Sequence, residues 1–414
     1  MVPLGHVARE LLAERTRLVL TILAIAWGTA SITIMLALGE GLRLTFGRAD
    51  KGIGEGILIV WPGQTSRPFG GLPEGQPVPL LPEDIEAARA AIPELAAASG
   101  ERQTWSGMRH GDKWRTGNVR AAEPEYGPMR NVIPAAGGRF IDPMDMRERR
   151  RVCVLGGDVA RELFGDDVDP VGRYLKIESR PFLVVGLMRD KYQTSSYGFM
   201  DRGSLWIPAT TYETMYNQRA YGNLVMKPRR PEEMERLKSR FRELVASRHG
   251  CDPEDGEIVN YWDTLEQQQV GGNIMVGMQI VLGIIGGLTL VVAGVGIANV
   301  MYVSVTNATR DIGIRMAVGA RTYQVLGQYI LEALLATGIG GALGIGASQL
   351  VVWLVGLIPM EAEFFKYVGK PVPVLSLTVA AIVVAVLGVI GLVAGYFPAR
   401  RGAAVDPAEA LRYE

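Results

Sequence analysis

Residues 275–303 read MVGMQIVLGIIGGLTLVVAGVGIANVMYV, inside a stretch that carries no charge from Val270 to Thr309. A helix crosses about 30 Å of hydrocarbon with about 20 residues. A run this long and this apolar exceeds what an ordinary core helix needs and reads as a membrane span. Three more runs qualify: Leu18 to Leu38, bracketed by Arg17 and Glu40; about Tyr323 to Ile358, with one acid, Glu332; and about Pro373 to Phe397. Whole-chain averages hide them, because 48% of the 414 residues are hydrophobic and Lys+Arg equals Asp+Glu at 43 each. Between the first two spans, from about Arg43 to Gln269, the composition is that of a soluble domain long enough to bury its own core.

The first run has alternative readings at its edges. Arg9, Arg15 and Arg17 precede it and Ala37-Leu38-Gly39 resembles a cleavage site, but an apolar core of about 7 to 15 residues is normal for a signal peptide and this one is longer. Upstream, Leu4, Val7, Ala8, Leu11 and Leu12 share one face of a helix, which would lie along the membrane surface or simply extend the first span.

Short-loop charges orient the spans. Three arginines precede the first, Arg310, Arg315 and Arg321 lie in the 306–322 loop, and Arg400, Arg401 and Arg412 lie in the tail. The 359–372 loop sets two lysines against Glu361 and Glu363. The expected order is therefore a cytoplasmic amphipathic helix (1–17), a first span (18–39), an extracytoplasmic core domain (40–270), a second span (271–305) and a cytoplasmic coupling segment (306–322). A third span (323–358), a short extracytoplasmic loop (359–372), a fourth span (373–397) and a cytoplasmic tail (398–414) complete it.

Within the soluble block, Ile57 to Trp61 reads as a strand, a helix opens at Pro82-Glu83-Asp84, and Leu224-Val225-Met226 precedes a helix carrying Met234, Leu237, Phe241, Leu244 and Val245 on one face. Glu257-Ile258-Val259 reads as a strand. These form two β-α-β-like units flanking a β-rich middle. That middle has strands at Arg151 to Leu155, Tyr174 to Ile177, Phe182 to Leu187 and Leu205 to Ile207, with a hairpin around Ser179-Arg180-Pro181. The fold class expected is an α-helical membrane protein with four transmembrane helices plus an α+β extracytoplasmic domain.

Several function classes drop out. Net charge is zero and no basic run interleaved with aromatics occurs, so nucleic acid is not an expected partner. Two cysteines, Cys153 and Cys251, exclude a disulfide framework and a Cys-based zinc site, leaving open whether they pair. His110 and His249 lack metal-ligand spacing, and no G-x-S-x-G or H-E-x-x-H motif supplies a nucleophile or a metal centre, so no catalytic and no metal-binding residue is expected. Within these residues G-x-x-x-x-G-K-[ST] is also absent, so any ATP hydrolysis is expected in a separate chain, with ATP and magnesium bound there and no cofactor here.

Three features carry candidate function. Gly283 and Gly287 in the second span, and Gly340 and Gly344 in the third, have the spacing that lets helix backbones approach, within one subunit or across a dimer. Glu332 lies about 11 residues beyond Arg321, about 16 Å along a helix. A lone intramembrane acid is costly and often functional, unless it reaches the interface or pairs with an arginine. The connector Thr309-Arg310-Asp311-Ile312-Gly313-Ile314-Arg315-Met316-Ala317-Val318-Gly319-Ala320 is a short charged and apolar element at the membrane face, suited to a protein partner or to lipid headgroups. If it is helical, Ile312 and Met316 share a face and are the expected apolar anchors, with Arg310 and Arg315 as charged contacts.

That connector resembles the MacB/FtsX-type ABC transporter permeases, whose corresponding segment carries T-R-E-I-G-I-R-x-A-x-G-A, and departs from it only by Asp311 for Glu. Leu38 to Gly41, Val152 to Gly156, Asp169 to Gly172, Phe182 to Gly186, Pro398 to Arg401 and Asp406 to Glu414 are similar to the family's segments in the same order. Asp406, Pro407 and Glu409 also suit the start of a short helix. The resemblance implies a MacB-like periplasmic core domain and a permease of the bacterial inner membrane. It implies a homodimer or heterodimer with two ABC ATPase subunits docked at Arg310, Asp311, Ile312, Gly313, Ile314, Arg315, Met316 and Gly319. A periplasmic adaptor or an outer-membrane channel is a further implied partner, besides membrane lipids. Export is the implied function; an FtsX-like device regulating cell-wall enzymes without transport is the alternative.

Overall fold

A computed structural model describes residues 15–359 and 362–403; the amphipathic segment at Leu4 to Leu12 and the tail at Asp406 lie outside them. In chain order the elements are α1 (Arg15–Asp50), β1 (Leu58–Gln64), β2 (Pro77–Val78), α2 (Pro82–Ala91), β3 (Leu95–His110), β4 (Lys113–Ala122), α3 (Tyr126–Met129), α4 (Pro143–Arg147), β5 (Val152–Leu155), α5 (Gly157–Phe164), β6 (Tyr174–Ile177), β7 (Arg180–Leu187), β8 (Ser204–Pro208), α6 (Ala209–Tyr216), β9 (Asn223–Pro228), α7 (Met234–His249), β10 (Val259–Asp263), α8 (Thr264–Asn307), α9 (Thr309–Ala317), α10 (Thr322–Leu357), α11 (Glu363–Val368) and α12 (Leu377–Ala403). They divide into an outer unit, Phe46–Gly271 with Ala362–Gly369, and a helical unit made of the rest.

In the outer unit the two β-α-β segments interleave into one antiparallel sheet ordered β10-β1-β9-β3. This is the split β-α-β arrangement. Helices α2 and α7 cover one face, where Ile85 and Ala88 meet Leu237, Phe241, Leu58 and Val60 in one core. The β-rich middle is inserted after β3. That strand is long enough to serve two structures: Leu95 to Glu101 pairs with β9, while Arg102 to His110 pairs with β4. Pairings β3-β4, β4-β8, β8-β5, β5-β7, β7-β6 and β6-β3 close a six-stranded barrel. Its interior holds Met108, Val119, Cys153, Leu155, Phe182, Val184, Leu205 and Ile207, and closure leaves no free edge.

Several expectations need correction. The β3-β4 hairpin adds two long strands to the expected set, with His110-Gly111-Asp112 between strand-forming residues marking its turn; Gly111 has φ +57°. The turn between β6 and β7 sits at Glu178 and Ser179, with Glu178 left-handed at φ +55°, so Arg180 and Pro181 already belong to β7. Gly256 to Ile258 is a 3-10 turn, and the strand begins at Val259. The pairing left open for the cysteines is not corrected but answered: Cys153 and Cys251 are both free and lie in separate cores. Residues 359–372 are not merely a loop, since α11 is part of the outer unit and Val368 is buried there.

Among the described residues, four helices are long and apolar enough to cross a membrane, at Val19–Ile53, Thr264–Asn307, Thr322–Leu357 and Leu377–Arg401. Their packing depends on glycine at close approaches. A Cβ on Gly340 would lie 2.7 Å from Ile25 Cβ, and one on Gly344 would lie 2.6 Å from the Ala26 carbonyl oxygen, so α10 packs on α1 within this chain. In α8 the close approach is made by Gly286, whose added Cβ would be 2.9 Å from Ile32 Cα, whereas Gly283 reaches only Leu36 Cδ2 at 3.6 Å and Gly287 faces open space. Within this chain the contact with α1 on that turn of α8 therefore falls to Gly286, while Gly287 is left facing outward. Gly344→Leu is expected to destabilise the bundle by about 3 kcal/mol, the upper range of overpacking, while Gly287→Leu stays within about 0.5 kcal/mol of wild type. SDS-induced unfolding of the purified chain checks this, and equal effects at the two sites would contradict it.

Candidate functional site

The connector is a helix. Ser304 and Ala308 carbonyls accept from Ala308 and Ile312 N–H at 3.0 and 2.9 Å, carrying the hydrogen-bonding pattern past Asn307 into α9. Thr309 Oγ1 donates to the Thr306 carbonyl at 2.8 Å, bracing the junction. The helix ends because Gly319 adopts φ +103°, a conformation that favours glycine. Ala320 N–H then donates back to the Arg315 carbonyl at 3.0 Å and Gly319 N–H to that of Met316 at 3.0 Å, satisfying orphan acceptors. Gln324 Oε1 in turn accepts from Arg321 N–H at 2.9 Å, opening α10.

Helicity decides which residues face outward. Ile312 is 4% exposed and packs among Met301, Val305, Val325, Tyr329 and Ala399, with Met316 alongside. The two residues expected as partner anchors instead fasten the connector to the bundle, because an apolar i, i+4 pair turns toward the nearest apolar surface. The opposite face presents Arg310, Asp311, Ile314 at 43% exposure and Val318 at 85%. Arg315 is exposed but donates to Gln328 Oε1 at 3.1 Å. Buried Gly313 lies beside Ile312 on the packed face. Glu332 is half-buried on α10 and is engaged rather than free.

A second constellation lies in the outer unit and left no mark in the sequence, since its members come from unrelated segments without periodicity. Asp201 Oδ1 meets Arg120 Nη1 at 3.1 Å and Arg130 Nη2 at 3.2 Å, while Oδ2 meets Lys191 Nζ at 2.7 Å. Glu101 Oε1 lies 3.4 Å from Arg120 and accepts from Tyr126 Oη at 3.0 Å; its Oε2 accepts from Asn223 at 2.8 Å. The side chains of Glu101, Arg120, Arg130 and Asp201 are wholly buried. Burial would raise the Asp201 carboxyl, but Arg130, Lys191 and Arg120 outweigh it and bring it down to about 2. Three cations thus face two carboxylates. Burial lowers Lys191 to about 8 against the attraction of Asp201, so the surplus charge is the one closest to neutrality.

This cluster anchors residues 191–203, which touch several parts of the outer unit. Gln193 Oε1 accepts from Asp201 N–H at 3.2 Å, and its own N–H donates to the Tyr367 carbonyl in α11 at 2.7 Å. Thr194 N–H donates to the Ala49 carbonyl in the last turn of α1 at 3.3 Å, and Arg202 Nη1 to the Lys366 carbonyl at 3.1 Å. Arg130 donates to the Ile53 carbonyl. The outer end of α1 and the segment between α10 and α12 are therefore both tied to one charged core. The aromatic run Phe364-Phe365-Lys366-Tyr367 is the one signal that could have flagged α11.

A long apolar helical unit joined to an inserted-barrel α+β domain, with a charged helical connector between two spans, defines a polytopic membrane permease with a large extracytoplasmic domain. Residues 18–244 match the MacB-like periplasmic core domain and residues 283–405 the FtsX-like permease C-terminal domain. The chain belongs to this family of ABC transporter permeases. It is 33% identical to the macrolide export ATP-binding/permease protein MacB of Rhodospirillum rubrum, over 98% of this chain and 59% of that protein. It is 32% identical to the protein of the same name from an Azoarcus species, over 98% of this chain and 58% of that one. The chain thus spans about three-fifths of the length of these relatives. The periplasmic region of MacB from Actinobacillus actinomycetemcomitans aligns with a TM-score of 0.43 at 18% identity, covering 54% of this chain and 95% of that one.

Proposed function

We propose that this chain is the permease subunit of a MacB-like ABC exporter, coupling ATP hydrolysis in a separate ATPase to movement of its extracytoplasmic domain for extrusion of a substrate. The observation that carries the reading is the two-faced connector. Ile312 and Met316 fasten α9 to the bundle, while Arg310, Asp311, Ile314 and Val318 remain exposed for a partner. Motion imposed on that outer face then passes to the spans instead of being lost in a loose loop. The termini and α9 lie on the cytoplasmic side in this reading, supported by the arginines at 310, 315, 321, 400 and 401. The working assembly is a dimer with two ATPases, ATP and magnesium residing on those subunits, with a periplasmic adaptor or outer-membrane channel as accessory partner. The relatives' names make a macrolide the first substrate to try. The test is co-expression with an ABC ATPase encoded beside this chain: a stable complex with faster ATP turnover than the isolated ATPase is expected. Absence of both binding and stimulation would overturn the reading.

A further inference from the structure

A groove runs between α8 and α12 in the helical unit. Its first section is a cavity of about 510 Å³ lined by Ile284, Gly287, Leu288 and Val291 of α8 and by Ala385, Val386, Val389 and Ile390 of α12. A second, of about 580 Å³, lies further along the same two helices, between Ala298, Asn299 and Tyr302 on one side and Phe397, Pro398, Arg400 and Arg401 on the other. Ile284, Leu288, Val291, Ala298 and Tyr302 fall on one stripe of α8, so the two cavities share a face. A Cβ on Gly294 would meet Ile390 Cγ2 at 2.6 Å, so the helices touch at mid-height and floor the groove. The first section is purely apolar, with Leu288 62% exposed. The far end is amphipathic, where Phe397 stands 64% exposed beside two arginines. Arg401 lies over the Tyr302 ring, 5.6 Å from its centroid, with Nη1 3.5 Å from Tyr302 Oη. Among the described residues neither Arg400 nor Arg401 forms a salt bridge with a carboxylate.

From Tyr302 back to Leu288 is about 21 Å along the helix, about 6 Å more than the roughly 15 Å depth of one leaflet's hydrocarbon. An apolar trough one acyl chain long, ending in two arginines and an aromatic ring, has the dimensions and charge order of a phospholipid lying along its leaflet. A second protein helix would fill the trough, but unless it carried an acid at that level it would leave Arg400 and Arg401 with no counter-charge among the described residues. We infer that the α8/α12 groove is a binding site for an anionic phospholipid of the cytoplasmic leaflet, its phosphate on Arg400 and Arg401 and its chains along Gly287, Leu288, Val291 and Val389. Gly287 lines the trough, and a side chain added there would start in open space, so a large one can be built into the groove as a probe. The leaflet assignment rests on the cytoplasmic orientation proposed above, where anionic lipids supply the attraction.

Native mass spectrometry of the full-length chain in mild detergent tests the site, with phosphatidylglycerol and phosphatidylcholine of identical chains as probes. Phosphatidylglycerol is expected to bind about tenfold more tightly, as charge-assisted contacts imply. Arg400→Gln with Arg401→Gln should erase that preference without changing the thermal midpoint, and Gly287→Trp should weaken both lipids. Equal binding of the two lipids, or an undiminished preference in the double variant, would overturn the proposal. So would displacement by glycerol phosphate at the same concentration, which would mark a site for free phosphate only. A dimer that excludes lipid, and regains it with Gly287→Trp through dissociation, would make the groove a subunit interface instead. The measurement needs no ATPase, so its failure leaves the coupling reading standing, and loss of ATPase binding leaves the lipid result intact.

Discussion

Asp201→Asn is expected to destabilise the extracytoplasmic domain by about 3–5 kcal/mol, the cost of breaking a buried ion cluster on one side. The substitution keeps the shape and removes the carboxylate that, among the described residues, Arg120, Arg130 and Lys191 share, leaving these buried cations with Glu101. Lys191→Met should do little by itself, because it removes the surplus charge, and in combination it should recover part of the loss. Denaturant unfolding of the full chain, followed by near-ultraviolet circular dichroism, measures both. A change within about 0.5 kcal/mol for Asp201→Asn, the range of ordinary surface substitutions, would mean the cluster is not energetically central. The pH dependence follows from the same groups. Asp201 is held below its ordinary 3.8 at about 2, so its contribution is complete above 3.8 and disappears as pH falls through about 2. Lys191 is held at about 8 below its ordinary 10.5, so between those values the unfolded chain binds more protons and stability rises with pH. Lys191→Met should abolish that alkaline rise.

The second large effect is expected at the connector. Ile314→Asp with Val318→Asp should abolish retention of the ATPase while the permease stays folded, because both side chains are exposed and a charge there costs the bundle nothing. Ile312→Asp should act differently. It places a carboxylate in the cluster with Val305, Val325 and Tyr329, and should lower bundle stability on the order of 3 kcal/mol before any partner is involved. Co-purification reports on the first pair and SDS unfolding on the second variant. Stoichiometric ATPase on the Ile314/Val318 pair would move the docking surface away from α9's exposed face.

These two sites differ in how far they were legible beforehand. The connector could be located from its motif and from the arginines around it, but its periodicity was compatible with both strand and helix. Only helix geometry separates Ile312 from Ile314, since residues two apart face different directions at about 100° per residue. The ion cluster was illegible. Glu101 sits in β3, Arg120 in β4, Arg130 after α3 and Lys191 and Asp201 in an irregular segment, and no local pattern relates a lone charge to another far along the chain.

What the amino-acid sequence determined alone was everything governed by local composition and period. This includes the four apolar runs, the separate soluble block, its two β-α-β units and most barrel strands, because burial on one face or in lipid imposes its pattern residue by residue. Tertiary structure decided the rest. It interleaved the two units into one sheet, let β3 serve both sheet and barrel, and drew α11 into the outer unit. It also chose Gly286 over Gly287 for the close approach to α1, and gathered three cations around Asp201 and Glu101. Each of those outcomes is set by which surfaces meet, and contact between distant segments is a property of packing that no window of sequence contains.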